Sequence, residues 1–214
     1  MYFNYEIICI DDCSTDESLK ELIRLKDYIN DSKLVDFRVT SNQENKGVCY
    51  TRNRLLREVT GTYVWFVDPD DMLVPNVGNY MLSIKQSRCN LILGNYRSIP
   101  EMLHFNELNE CKKYYEVNYI DINNEKLSYL PMNSIGIKMN AVWAGIFRRE
   151  FLIENGLFFH EGMIAQEDTL FYYEVSLFID TILKTDTEVY CYRKRSTSIM
   201  NLHSEEKMKN IMNL

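Results

Sequence analysis

Apolar positions along this chain fall into short runs and helical stripes that take turns. YEIICI, residues 5–10, is a brief β-branched run closed by Asp11 and Asp12, as a buried strand is. STDESLKELIRLKDYIN comes next, with Leu19, Leu22, Ile23 and Ile29 at helical spacing. Ser14 and Glu17 predict a capping box at its start, with Asp16 adding favourable charge in the first turn. LVDFRVT alternates as a strand does. NKGVCYTRNRLLREVTG predicts a helix from Val48 that stops at Gly61, a glycine suited to a C-cap. TYVWFVD is the next buried strand. Pro75 suits the first turn of a helix reaching about Gln86, and CNLILGN is another short apolar strand.

Strand and helix in this alternation predict an α/β fold with a mostly parallel, Rossmann-like sheet flanked by helices. Over residues 96–139 the period weakens, which predicts an irregular insertion with a short helix near 123–130. FRREFLIENG and QEDTLFYYEVSLFI then predict two helices, TEVYCYRKR a late strand, and residues 203–213 a helical tail. No repeat or low-complexity linker divides the chain, so one domain spans 1–214.

Composition narrows the partners. At 214 residues, 46% hydrophobic and 26% charged, the chain is long enough for one well-cored domain. A net charge of −7 leaves no basic surface for the phosphates of a nucleic acid. No apolar run reaches the roughly 18 residues that span a bilayer. MYFNYEIICIDD meets Asp11 and Asp12 before a secretory leader could form. The six cysteines are scattered without a paired CxxC, which predicts reduced, mostly buried thiols, a cytoplasmic location and no cysteine metal site.

Candidate chemistry sits where strands run out. Asp11 and Asp12 close one apolar run, and Asp68, Asp70 and Asp71 close another. Ligands of open α/β sheets bind beyond the carboxyl ends of strands. Carboxylates there suit a hard divalent cation or the hydroxyls and base N–H groups of a nucleotide. The plain structural alternative is that Asp68 starts a turn, Pro69 fixes it, and Asp70 and Asp71 cap the next segment of chain. Glu167 and Asp168 open an apolar-periodic helix, where N-terminal capping alone would account for them.

Taken together, IDDCSTD, NKGVCYTRN, FVDPDD and QEDTLF, in this order, resemble a family 2 nucleotide-sugar glycosyltransferase of the GT-A fold, over about residues 5–199. The resemblance implies a nucleotide-binding part over 1–95, an acceptor-side and catalytic part over 96–200, and a C-terminal tail over 201–214. It implies that Asp12 accepts from the nucleotide base and that Arg52 lies against the nucleotide. Asp68 would approach the ribose or the metal, and Asp70 would be the chief ligand of Mg²⁺ or Mn²⁺, with Asp71 supporting. Asp168 becomes the expected general base of an inverting transfer to an acceptor hydroxyl, and Glu167 would orient the site or contact the acceptor. Arg193 and Arg195, in YRKRSTSI, would close over the diphosphate; solvated surface charge is the alternative. Trp143 is either an acceptor-sugar platform or core. His160 and His203 carry no metal-ligand spacing.

One part of the family pattern has no counterpart. Such enzymes begin with a β-branched strand and Pro-x-Tyr-Asn, central in the sheet, whereas here only four residues precede Tyr5. Its lack predicts two rows of unpaired backbone groups. A fragment or late start, a gap filled by another segment or a neighbouring copy, and a decayed homologue all fit. The implied function is therefore sugar transfer from a nucleotide-diphosphate donor to a glycan or lipid-linked acceptor at the inner face of a membrane, with self-association favoured by the open sheet. A catalytically silent binding or assembly module is the rival. A nucleotidyltransferase would show a Gly-rich, basic phosphate loop, and none is present.

Overall fold

A computed structural model describes residues 5–30, 35–75, 77–84, 87–104, 107–108, 117–121, 141–163 and 165–195. The first half runs β1 (Glu6–Asp11), α1 (Ser18–Asn30), β2 (Asp36–Ser41), α2 (Val48–Glu58), β3 (Tyr63–Trp65), β4 (Met72–Leu73), α3 (Val77–Ile84) and β5 (Leu91–Pro100). The second half runs β6 (Val117–Asp121), a 3-10 turn at Val142–Ala144, β7 (Gly145–Arg148), α4 (Arg149–Glu154), α5 (Glu167–Phe178) and β8 (Thr181–Lys194). Each strand and helix expected before residue 95 is present. The helix expected near 123–130 and the tail at 203–213 lie outside the described residues.

Three local expectations need correction, and the strand pairing a fourth. The helix after β1 starts at Ser18, so Ser14 and Glu17 form no capping box. Cys13 takes a left-handed turn (φ 61°), Ser14 N–H donates to Asp11 Oδ2 at 3.1 Å, and Asp16 Oδ1 accepts from Ser18 N–H at 2.9 Å. Gly61 is not a C-cap either: α2 ends at Glu58 with Val59 as its C-cap, and Gly61 N–H donates to the Glu6 carboxylate. Its missing Cβ leaves room, since one built there would sit 3.3 Å from both Glu6 Oε1 and Tyr63 O. Residues 96–100, read as the start of an irregular stretch, continue β5.

The α/β class stands, but the strand pairing is mixed rather than mostly parallel. β1 and β2 form a parallel pair of their own. The larger sheet has the order β3-β7-β5-β8-β4, with β6 also on β8. Within it β5–β8 is parallel, while β3–β7, β5–β7, β4–β8 and β6–β8 are antiparallel. The alternation that calls for parallel crossovers ends at β5. β7 enters from a 3-10 turn, and β4 comes straight after the acidic turn, so neither is fed by a crossover helix.

Among the described residues, β1 has no backbone partner on the edge away from β2, and β3 none on the edge away from β7. Ile7 of β1 is 41% exposed for an apolar residue in the middle of a sheet region. Glu6, at the start of β1, accepts from the N–H groups of Thr60 and Gly61 just ahead of β3.

Two apolar layers sandwich the larger sheet, as strand alternation requires. Leu91, Leu93 and Phe147 join Leu56 of α2, Phe151 of α4 and Phe171 of α5 on one side. Ile92 and Ile146 join Tyr80 and Ile84 of α3, with Trp143 and Tyr190, on the other.

Candidate active site

Helix α2 turns Cys49, Arg52, Asn53 and Leu56 inward, an i, i+3, i+4, i+7 stripe. Two of those four are strongly polar, so the stripe that should be core carries a charge instead. The Arg52 side chain is only 8% exposed. Its Nη1 reaches Asp168 Oδ1 at 2.7 Å and Glu167 Oε1 at 3.4 Å, and its Nη2 reaches Asp68 Oδ1 at 3.0 Å. Its guanidinium carbon lies 5.2 Å from the Phe159 ring centroid. Burial works against its charge, but Asp168, Asp68 and Glu167 outweigh that and hold it protonated.

The acidic turn hangs between β3 and β4. Asp68, Asp70 and Asp71 can bring one oxygen each within 4.8 Å of one another. Such crowding needs cations and donors, and the structure supplies both. Arg52 faces Asp68, and Arg195 forms an ion pair with Asp70. Asp71 accepts from the Tyr190 hydroxyl at 2.8 Å and from Arg193 N–H at 2.7 Å. Asp68 N–H donates to the same tyrosine oxygen at 3.1 Å, so Tyr190 of β8 ties the turn at both ends. Burial pushes the Asp68 carboxyl above the usual range, opposed by Arg52 and aided by the charges of Asp168 and Asp70. Burial also raises Asp71, against its two donors. Burial and the neighbouring charges of Asp68 and Asp71 keep Tyr190 a phenol.

α5 brings the second pair of acids. Gln166, just ahead of it, is left-handed (φ 65°), which swings Glu167 and Asp168 into the first turn of the helix. The preceding loop is gripped by Asn53, whose amide donates to Phe159 O at 2.8 Å and accepts from Phe159 N–H at 2.8 Å. Asp168 Oδ2 accepts from Val142 N–H at 2.9 Å, at the head of the 3-10 turn. Burial raises the Asp168 carboxyl, with Arg52 and the Val142 N–H opposing and Glu167 adding. Each of its oxygens keeps one lone pair for a further proton donor.

The other expected residues divide between the site and its surroundings. Asp12 accepts from Asn42 Nδ2 at 2.7 Å, Lys46 N–H at 2.9 Å and Gly47 N–H at 2.7 Å, so its carboxylate shapes the loop entering α2. Burial acts to raise it, but these hydrogen bonds win and hold it below the ordinary range. Arg52 is turned to the carboxylates rather than to open space. Arg193 gives its backbone to Asp71 and its side chain to Glu101 O. Trp143 is buried and laid against Tyr190 and Tyr192, which makes it core. His160 meets Glu174 at 2.7 Å, away from the acids. Tyr190, Asn53 and Val142 N–H belong to the site and were not singled out by sequence. Asn53 had a signal, a polar residue on the inward stripe of α2.

Oxygen-only donors at this spacing fit a hard divalent cation. Surface depressions lined by residues such as Thr60, Arg148 and Glu154, or Leu157, His160 and Phe178, lie elsewhere, so the convergence of buried charge locates the site.

Known proteins resemble this chain in sequence and fold. The profile of Glycosyl transferase family 2 matches residues 1–150. Glycosyltransferase GlyA of Streptococcus pneumoniae is 26% identical over 212 residues, covering 97% of this chain and 29% of that protein. S. aureus TarS in complex with UDP-GlcNAc superposes with a TM-score of 0.68 at 22% identity, over 98% of this chain and 56% of that one. GalNAc-T7 with UDP, GalNAc and Mn²⁺ gives a TM-score of 0.60 at 19% identity, over 89% and 38%. The chain thus spans from under a third to just over half the length of these proteins. The structural likeness carries the GT-A fold, and the profile covers the helix with Arg52, the acidic turn and Trp143, so the chain belongs to glycosyl transferase family 2.

Proposed function

We propose that the chain transfers a sugar from a nucleotide-diphosphate donor to an acceptor hydroxyl of a glycan or lipid-linked chain, with inversion at the anomeric carbon. The observation that carries this reading is Arg52, which holds Asp168 and Asp68 on one buried guanidinium. A proton acceptor and the donor-side acids therefore share a single cation, through its two terminal nitrogens. The acceptor oxygen bonds the anomeric carbon as its proton passes to Asp168, and the bond from that carbon to the diphosphate oxygen breaks with its electrons leaving on the diphosphate. A carboxylate within hydrogen-bond reach makes the weak hydroxyl nucleophile effective.

Asp70 and Asp68 would hold Mg²⁺ or Mn²⁺, which supplies neutralising charge to the departing diphosphate when bound. Arg195 would then leave Asp70, and the Arg193 side chain Glu101 O, to face the diphosphate. Asp12 serves the base end of the nucleotide through the loop it shapes, and Glu167 keeps Arg52 and Asp168 in place. Family membership and the UDP-containing neighbours support this reading. No helix among the described residues is long and apolar enough to cross a membrane. We place the reaction at the cytoplasmic face of one, with self-association through the open sheet edges.

Asp168→Asn tests the assignment. The variant keeps Mn²⁺-dependent UDP binding and loses transfer by about 100-fold or more, the low end of what a general base supplies. Transfer at the parent rate would remove Asp168 from the role. A second reading, a silent module of the same fold, is favoured by the unpaired edges of β1 and β3 beside the nucleotide end. It predicts no UDP binding by the parent chain.

A further inference from the structure

We infer that Tyr96, rather than Trp143, is the ring on which a pyranose unit of the acceptor stacks. This assignment deepens the transfer reading above and rests on it for the word acceptor. Trp143 has no face to offer: it is 7% exposed, lies nearly parallel to Tyr190 at 4.5 Å and to Tyr192 at 5.8 Å, and meets Tyr96 edge-on at 4.8 Å. Tyr96 is the outermost ring of that stack and is 47% exposed.

Its position is tied to the site from two directions. Tyr96 and Tyr190 are register partners on neighbouring parallel strands, so their side chains share one sheet face. Tyr190 ends on Asp71 and on the Asp68 backbone, and Trp143 adjoins Val142, whose N–H holds Asp168. Through Trp143, Tyr96 is thus joined to the segment that holds Asp168 and, by way of Tyr190, to Asp71.

The backbone is shaped to present it. Opposite Leu93–Tyr96 it is β8 that bulges, advancing from Lys184 to Glu188 while β5 goes from Leu93 to Asn95, and from Glu188 to Tyr190 while β5 goes from Asn95 to Tyr96. The Tyr96 N–H is taken by Asn95 Oδ1 at 2.8 Å. Bulges of this kind recur beside active sites, where they re-aim a side chain. Gly94 allows the close approach, since a Cβ there would lie 2.3 Å from Val189 Cγ2.

Single exposed aromatics are ordinary. Tyr28, Tyr173 and Phe178 are exposed too, but they lie on helices α1 and α5, not on the strands that carry the stack. Tyr96 differs in having its ring anchored on Trp143, its partner strand bulged beside it and its neighbours joined to the site. A rigid tyrosine with few torsions loses little entropy on contact and offers an apolar face with a polar tip. That combination fits the C–H face and hydroxyls of a hexose.

Saturation-transfer-difference NMR on the chain tests this with methyl β-glycosides of glucose, galactose and N-acetylglucosamine as probes, with and without UDP and Mn²⁺. At least one pyranoside receives saturation on one ring face; Tyr96→Phe preserves it, and Tyr96→Ala and Tyr96→Leu reduce it at least about fivefold, the scale of losing a modest stacking contact. UDP binding is unchanged in all three variants, which separates this outcome from failure of the donor reading. Equal saturation in the alanine and leucine variants overturns the inference, and so does absence of saturation of all three probes by the parent chain.

Discussion

A buried guanidinium set among carboxylates decides what each of those carboxylates does. Without Arg52, the acids Asp68, Glu167 and Asp168 would face each other in a site where burial already raises Asp68 and Asp168. Arg52→Gln should therefore cost about 3–5 kcal/mol, the range for breaking a buried ion pair from one side. Urea denaturation reads this as a lower midpoint at unchanged slope; a loss near that of an exposed pair would contradict it. Arg52→Lys recovers little, because an ammonium cannot fork between three carboxylates. Asp168 also sets a pH dependence. Its carboxyl sits above the ordinary range, chiefly through burial, and the proposed transfer needs the ionised form. Activity is then complete above the raised pKa and falls as pH drops through it, so the acid limb of the kcat profile lies above about 3.9. A limb at or below that value would contradict the burial argument. The sign for folding is opposite: the folded chain takes up this proton before the unfolded one, so its contribution to stability grows as pH falls through the folded pKa. At this scale the acids were visible in the sequence because like charges at the end of an apolar run demand an explanation. Tyr190 and Val142 N–H were not, since a tyrosine in a strand reads as packing and a backbone N–H leaves no mark.

Elements explain why some readings held and others moved. α2 was legible because Cys49, Arg52, Asn53 and Leu56 repeat at helical spacing, and Val48 begins it as expected. The capping box at Ser14 was not, because the left-handed Cys13 commits those residues to a turn before α1 can start. Gly61 looked like a stop for α2 but serves the contact between Glu6 and the start of β3. β7 was hidden for a related reason: GIFR is four residues long, shorter than a reliable period-2 signal. The open edge of β1 has a measurable consequence. Its amides facing away from β2 should exchange with solvent about 100-fold or more faster than those of Leu91–Leu93 in β5, which is paired on both sides. Comparable protection in native-state hydrogen exchange would mean that the edge is covered.

Across the whole molecule, the site lies along a seam. β1 and β2 form one small sheet, the other strands a larger one, and α2 reaches both through Arg54 on β2 and Arg52 on the acids after β3. A parallel sheet was legible only as far as the strand and helix alternation extends. Beyond β5 the antiparallel returns depend on pairings distant in sequence, such as Met72 with Cys191, which no local pattern announces. Asp68 from the first half and Asp168 from the second, proposed for donor and base, meet at Arg52 only through that packing. Calorimetric titration of the 214-residue chain with UDP, with and without Mn²⁺ and beside Asp70→Ala, tests this joining most directly. Mn²⁺-dependent binding by the parent chain, lost in Asp70→Ala, is the predicted result. No binding by a folded parent chain, or binding indifferent to Mn²⁺ and to Asp70, would contradict it.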